Sequence, residues 1–387
     1  MSLFPSAEKL KAKPWIVLVG GFLGAGKTTL LIAAARELER RGMRSALVMN
    51  DQGEALVDTE HASLHGLHRG EVTGGCFCCR FSELLRVMDQ LREYAPDIIF
   101  AEPVGSCTDI SATTLQPLLA YSDQYRLAPF TVLVAPERAT QMLLPDADIH
   151  MKFLFRKQLE EADLVCFSKS DTTSAFPSMD EFGMRDVRRI SARSGSSVAA
   201  WLDEVLAGEL SAGKHILDID YEQYARAEAA LSWMNLQVDL STESPVSPAA
   251  MLGPLLDDLD DRLSANGISI VHMKAIMNSD KGFVKAAICA NGQDPIVEGN
   301  LDASPATKHS LLLNLRAVGA ASEVQSIVEE RVHRLTANLE NFRISCFHPS
   351  APKPERRIDD ARSQARTNDL AKNVPDERVP PGVSDKS

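Results

Sequence analysis

The chain has 387 residues, of which 44% are apolar, 24% charged and 6% aromatic, and it carries a formal charge of −12. That length predicts two or three domains with full-sized cores in an ordinary water-soluble composition. The acidic balance excludes a general nucleic-acid or membrane-surface binder, since either needs a basic face.

Met1 to Pro14 is polar and lysine-containing without an apolar signal core, and no run approaches the ~18 residues of a membrane helix. Seven cysteines, three of them within four positions, do not read as a disulfide framework. A cytoplasmic location with reduced thiols is expected.

Trp15-Ile16-Val17-Leu18-Val19 is a continuous apolar run, suited to a strand buried on both faces. It runs into Gly21-Phe22-Leu23-Gly24-Ala25-Gly26-Lys27-Thr28, a full match to G-x-x-x-x-G-K-[ST], and Thr28 to Arg41 then reads as a helix stopped by Gly42. Strand, glycine loop and helix in that order predict a polyphosphate cradle. Gly21, Gly24, Ala25, Gly26, Lys27, Thr28 and Thr29 are its candidate nucleotide-binding residues. Backbone amides and the positive end of the helix face the phosphates, Lys27 reaches the β- and γ-phosphates, and Thr28 offers its hydroxyl to Mg²⁺.

Ser45 to Asn50 predicts a second strand, and Asn50, Asp51 and Glu54 stand where a loop sensing the γ-phosphate belongs. Residues 55 to 75 predict no firm secondary structure. His61, His65 and His68 in this stretch have spacing that a short helix could turn to one side, although exposed histidines on a loop are the plainer account. Then comes Cys76-Phe77-Cys78-Cys79 behind two glycines. Three thiols so placed can hold one thiophilic ion such as Zn²⁺ with a coordination position open, which suits handing a metal on; a redox pair or a chance cluster are the alternatives.

A helix follows from Ser82 to Tyr94, and after Pro96 an apolar strand ends in Glu102, the candidate acid on the Mg²⁺ side. Lys27, Thr28 and Glu102 form the candidate catalytic set, because phosphoryl transfer needs positioning and charge neutralisation more than covalent chemistry. Strands at Phe130 to Val134 and Asp163 to Phe167, with a helix around Phe153 to Glu161, lead to Ser168-Lys169-Ser170-Asp171. The Asp171 carboxylate can accept both N1–H and the N2 amine of guanine, which selects GTP over ATP. Lys169 lays its methylenes on the base, and Ser191-Ala192 supplies a backbone contact. The alternating order through residue 210 predicts a doubly wound, mostly parallel α/β sheet.

From Leu236 the pattern becomes β-α-β-β-β-α-β, with Ser247-Pro248 opening a helix, and predicts a smaller α+β domain of ferredoxin-like type in which His272 is structural. The expected division is an extension over 1–14, a nucleotide domain over 15–210, a linker over 211–235, the α+β domain over 236–348 and a disordered tail over 349–387.

The phosphate loop, Asn50-Asp51 with Gly53-Glu54, the C-x-C-C cluster, the Glu102 strand and the Ser-Lys-Ser-Asp turn together resemble the CobW family of P-loop GTPases. The resemblance is strong over residues 15 to about 206 and weaker beyond. It implies a metallochaperone with GTP and Mg²⁺ at Gly24 to Thr28. A transition metal (zinc, cobalt or iron) is implied at Cys76, Cys78 and Cys79, for delivery to a client apo-metalloprotein. Members have been tied to zinc homeostasis, cobalamin synthesis and activation of nitrile hydratase, and a homodimer fits the habits of related GTPases. Ser168 stands where the family's base-reading turn has asparagine, Ala135-Pro136 where it tends to have an acid, and the histidine-rich tract of many members is absent. A regulatory GTP-binding protein with a structural zinc, or a P-loop small-molecule kinase, are the alternatives.

Overall fold

In a computed structural model describing residues 13–51, 57–64, 66–121 and 123–359, the first strand, β1 (Trp15–Gly21), sends Ile16 and Leu18 into one core and Val17 and Val19 into another. An unbroken apolar run is what a strand covered on both faces requires. The glycine loop turns the chain into α1 (Lys27–Arg40), which Gly42 at φ 72° ends. Then follow β2 (Ser45–Asp51), α2 (Val57–Leu64), β3 (His68–Thr73), α3 (Phe81–Leu91) and β4 (Ile98–Glu102). After α4 (Gln116–Tyr121), β5 (Arg126–Leu127) and β6 (Thr131–Val134), the domain is completed by α5 (Pro136–Leu143), α6 (Ile149–Glu160), β7 (Leu164–Phe167), β8 (Arg188–Arg189) and α7 (Val198–Leu206). The strand order is β3-β2-β4-β1-β6-β7-β8, with β5 also beside β1, and these pairings are all parallel. The expected doubly wound sheet is present. β1 lies between β4 and β6, where the order reverses, so the crevice for a ligand opens at its carboxyl end.

Residues 55 to 75 depart from expectation, because they contain α2 and β3. β3 is an edge strand whose sequence lacks an apolar run. It is held by parallel pairing to β2 from Ala46–His68 to Asp51–Thr73, and only Val72 along it is buried. Gly70 lets α3 close over it, since a Cβ there would lie 2.3 Å from the Val87 side chain.

The stretch assigned as linker contains α8 (Tyr221–Ala229), capped by Asp220, whose side chain accepts from Glu222 N and Gln223 N. The second domain starts earlier than expected, with β9 (Leu231–Val246), then α9 (Pro248–Ala265), β10 (Ser269–Ser279), β11 (Gly282–Ile288), β12 (Ile296–Gly299), β13 (Ala306–Val318), α10 (Ala321–His333) and β14 (Asn338–Phe347). Its antiparallel sheet has the order β12-β11-β10-β13-β9-β14. One face sends Met234, Leu236, Met273, Ala275, Leu313 and Leu315 into the domain's own core with α9 and α10. The opposite face carries Asn235, His272, Asn314 and Arg316, polar yet at most 7% exposed. Alternation along a strand normally separates core from water; here the polar face is turned onto the nucleotide domain.

The expected disordered tail is corrected over 349–359. Ile358 is 8% exposed and its amide donates to Ala112 O at 2.9 Å, so this stretch is packed on the first domain.

Candidate functional site

The glycine loop owes its shape to two left-handed residues, Gly24 (φ 80°) and Gly26 (φ 86°). A Cβ on Gly24 would also stand 2.7 Å from Cys289 Sγ of the second domain. Lys27 folds back so that its Nζ donates to Gly21 O at 3.0 Å and lies 4.0 Å from Glu102 Oε1. Thr28 Oγ1 lies 3.0 and 2.8 Å from the two Glu102 carboxylate oxygens and donates to that carboxylate. Burial is the main force on both charged partners, pulling the Lys27 ammonium below its ordinary value and pushing the Glu102 carboxyl above its own. A hydroxyl and a carboxylate converging beside an ammonium are hard oxygen donors of the kind Mg²⁺ takes.

These groups open on a cavity of ≈ 350 Å³, also lined by Gly24, Gly26, Thr29, Asn50, Lys169, Asp171 and Ala192. Of the remaining expected nucleotide residues, Gly21, Ala25 and Ser191 stand behind that wall: Gly21 anchors Lys27, Ala25 is core, and Ser191 Oγ donates to Asp171 Oδ1 at 2.6 Å. Ser168 lines the cavity, and its buried hydroxyl has no hydrogen-bond partner among the described residues. Lys169 takes φ 52°, a left-handed bend in the turn that carries Asp171.

The second domain forms the far wall with His272, Lys274, Lys285 and Cys289. His272, expected to be structural, thus faces the cavity. Burial, with Lys274 nearby, holds its imidazole well below the ordinary value and so uncharged. Burial opposes the charge on Asp58, yet Lys274 pairs with that carboxylate and keeps it ionised.

The thiol loop lies between β3 and α3. Cys76 O accepts from Cys79 N and Arg80 N, a turn that gathers the three sulfurs at the amino end of α3, whose dipole favours negative charge. Sγ–Sγ distances are 2.7 Å for Cys76–Cys78, 3.3 Å for Cys76–Cys79 and 3.7 Å for Cys78–Cys79. Sulfurs bound tetrahedrally to Zn²⁺ at ~2.3 Å sit about 3.7 Å apart, so Cys78 and Cys79 already fit and Cys76 needs to move by about an ångström. Cys76 and Cys78 are buried, while Cys79 is half-buried. Sequence reasoning missed Cys107, a buried thiol on the loop after β4 whose interaction with Cys76 helps to lower the Cys76 thiol and raise its own; only its place four residues past the Glu102-Pro103 turn hinted at it.

Neither His61 nor His68 joins this cluster. His61 on α2 is 2% exposed, against the expected exposure, and contacts Lys285 Nζ and Glu298 Oε2, each at 3.1 Å. His68 is exposed and stacks on Tyr94. His65 and Glu54 lie outside the described residues.

Asn50 links the two sites. Its Nδ2 donates to Val72 O at 2.9 Å and Gly75 O at 2.7 Å, and its Oδ1 accepts from Phe77 N at 2.8 Å.

Residues 15–194 match the model of the CobW/HypB/UreG nucleotide-binding domain. The chain is 31% identical over 196 residues to the zinc chaperone CobW of Pseudomonas aeruginosa, covering 43% of this chain and 52% of that protein. It is 29% identical over 159 residues to the zinc chaperone YeiR of Escherichia coli, covering 41% and 47%. The chain therefore spans about half the length of the curated relatives it matches. Among solved structures, HypB of Helicobacter pylori in complex with nickel aligns at 16% identity over 55% of this chain and 94% of that one, with a TM-score of 0.38. Zn(II)-bound YjiA GTPase of E. coli aligns at 14% over 82% and 99%, with a TM-score of 0.33. Over residues 15–194, just under half of the chain, the protein is thus similar to the nucleotide-binding domain of the CobW/HypB/UreG family.

Proposed function

We propose that this chain is a slow GTPase that binds a transition metal, zinc before cobalt or iron, at Cys76, Cys78 and Cys79 and passes it to a client apo-protein. The observation that carries this reading is Asn50. One side chain lines the nucleotide cavity and also uses both donors and its acceptor on the loop that bears the thiols.

The guanine would lie against Lys169 with its N1–H and N2 amine facing Asp171, whose orientation Ser191 fixes. The phosphates would meet the amides of Gly24 to Thr28 and the Lys27 ammonium. Thr28 and Glu102 fit Mg²⁺, which neutralises phosphate charge when bound. A γ-phosphate entering beside the end of β2 competes for the space around Asn50, and any shift there moves Val72, Gly75 and Phe77 with it. A segment with two arrangements biased by one phosphate is a known type of nucleotide switch.

The test is zinc affinity measured with a GTP analogue and with GDP, on the wild type and on Asn50→Ala. The proposal expects a difference in the wild type that shrinks toward none in the variant. Equal affinities in the wild type, or an unchanged difference in the variant, overturn it. The burial of Cys76 and Cys78 favours a second reading, a structural zinc, under which removing the ion unfolds the protein; a delivery site stays folded and refills.

A further inference from the structure

Beyond β14 the chain does not leave the molecule but crosses the thiol loop. Lys353 N donates to Cys79 Sγ at 3.2 Å, and two residues later Glu355 N donates to Cys78 O at 2.9 Å. The Glu355 carboxylate accepts from Ser82 N at 2.9 Å and Ser82 Oγ at 2.6 Å, in the first turn of α3. That helix has no side-chain cap of its own, because its N-cap position is Arg80. Glu355 therefore caps α3 from a distant part of the sequence, satisfying an amide that the helix leaves open.

The far end is fastened more firmly. Arg357 Nε donates to Asp109 Oδ2 at 2.8 Å, and its Nη2 donates to Leu217 O at 2.9 Å. Asp109 is 1% exposed and also accepts from Tyr221 Oη at 2.6 Å. Contacts at 353, 355, 357 and 358 thus alternate along an extended strap, and Cys79, the least buried of the three thiols, is the sulfur beneath its leading end.

We infer that residues 353–358 are a working part of the thiol centre: they hold Cys79 through a main-chain amide, and their attachment sets how fast that sulfur can be reached. An amide aimed at a thiolate stabilises its charge and fixes its direction, as outer hydrogen bonds do for metal ligands. A client or chelator taking the ion through Cys79 meets the strap first. The metal arm of this inference rests on the proposed delivery function; the accessibility arm does not.

The test uses the full chain carrying Arg357→Ala with Glu355→Ala, positions remote from the nucleotide cavity, beside Arg357→Lys as the conservative variant. In metal-free protein, the rate at which a disulfide reagent modifies Cys79, located by mass spectrometry, should rise at least fivefold in the double variant and stay within twofold in Arg357→Lys. GTP turnover should be unchanged. In zinc-loaded protein, transfer to a chromogenic chelator should accelerate in parallel. A wild-type modification rate in the double variant overturns the inference whether or not zinc binds. Faster modification without zinc uptake by any form keeps the strap and removes the delivery function instead. Global unfolding is separated by the melting temperature and by Cys166, buried beside a different core, which must remain unmodified.

Discussion

Asp51, the last residue of β2, is held by Arg316 of β13 through two hydrogen bonds of 3.0 and 3.1 Å, so the tip of a strand in one domain is bound to a strand of the other. Arg316 is 4% exposed, stacks on Trp233 with its guanidinium 4.0 Å from the ring centroid, and donates to Met234 O. Its neighbour in the contact is one residue from Asn50, so the same strand end touches the phosphate cavity, the thiol loop and the second domain.

Arg316→Ala therefore removes one side of a largely buried pair and a cation–π contact. A loss of about 2–4 kcal/mol in urea unfolding is expected. In a double-mutant cycle with Asp51→Asn, the two changes together should cost less than their sum, because they break one interaction. Strict additivity would show that the two side chains are not coupled.

Glu102→Gln keeps the size of the side chain that Thr28 contacts but deletes its charge. GTP turnover, followed by phosphate release, should fall about 10²–10³-fold, on the scale of losing one charge-stabilising group. GDP binding should change by less than about tenfold, since the amides of the glycine loop and Asp171 remain.

Glu161 gives a pH signature of the fold. It is fully buried, accepts from Thr108 Oγ1 and Ser111 N at 3.1 Å each, and burial pushes its carboxyl up to about 8. Between the ordinary carboxylate value and about 8 the folded state keeps a proton that the unfolded chain releases. The folded state is thus favoured below that window, and the contribution is lost as pH rises through it, at up to about 1.4 kcal/mol per pH unit. Melting from pH 5.5 to 8.5 should show this decline in the wild type and a flatter profile in Glu161→Gln.

Zinc uptake should release protons. Hydrogen bonding with Cys107, Cys78 and Cys79 holds Cys76 well below the usual thiol value, while sharing with Cys76 pushes Cys78 well up and Cys79 to about 11. Thiols that become thiolates on ligation give up their protons, so protons should leave with each ion near pH 7.5 and affinity should climb as pH rises. Calorimetry in buffers of different ionisation enthalpy counts them directly.

The parts legible from the sequence were those whose cause is local. The phosphate loop, the flanking β1 and α1, and the strands ending at Glu102 and Phe167 each follow from a contiguous pattern. β3 was hidden because an edge strand bound to β2 needs only Val72 to be apolar. The polar face of β9, β10 and β13 carried no signal of an interface, since alternation cannot say whether water or a second domain lies opposite. His61, Cys107 and Arg357 acquire partners more than thirty residues away in sequence, or, for Arg357 and Asp109, across 248 positions. The segment around Lys353 is charged and proline-bearing, a composition that predicts disorder; it is ordered by hydrogen bonds to other parts of the fold rather than by its own apolar residues.

The cavity beside Lys27 has one wall from each domain, with Cys289 pressed against Gly24. A nucleotide held there would be clasped as between two jaws, and its residence time should depend on how often the jaws part as well as on the phosphate contacts. Loosening the Arg138 guanidinium, which clamps Val271 O and Cys289 O at 2.7 Å each and lies 5.5 Å from the Phe22 ring centroid of the phosphate loop, is thus a way to change exchange without altering the residues that face the phosphates.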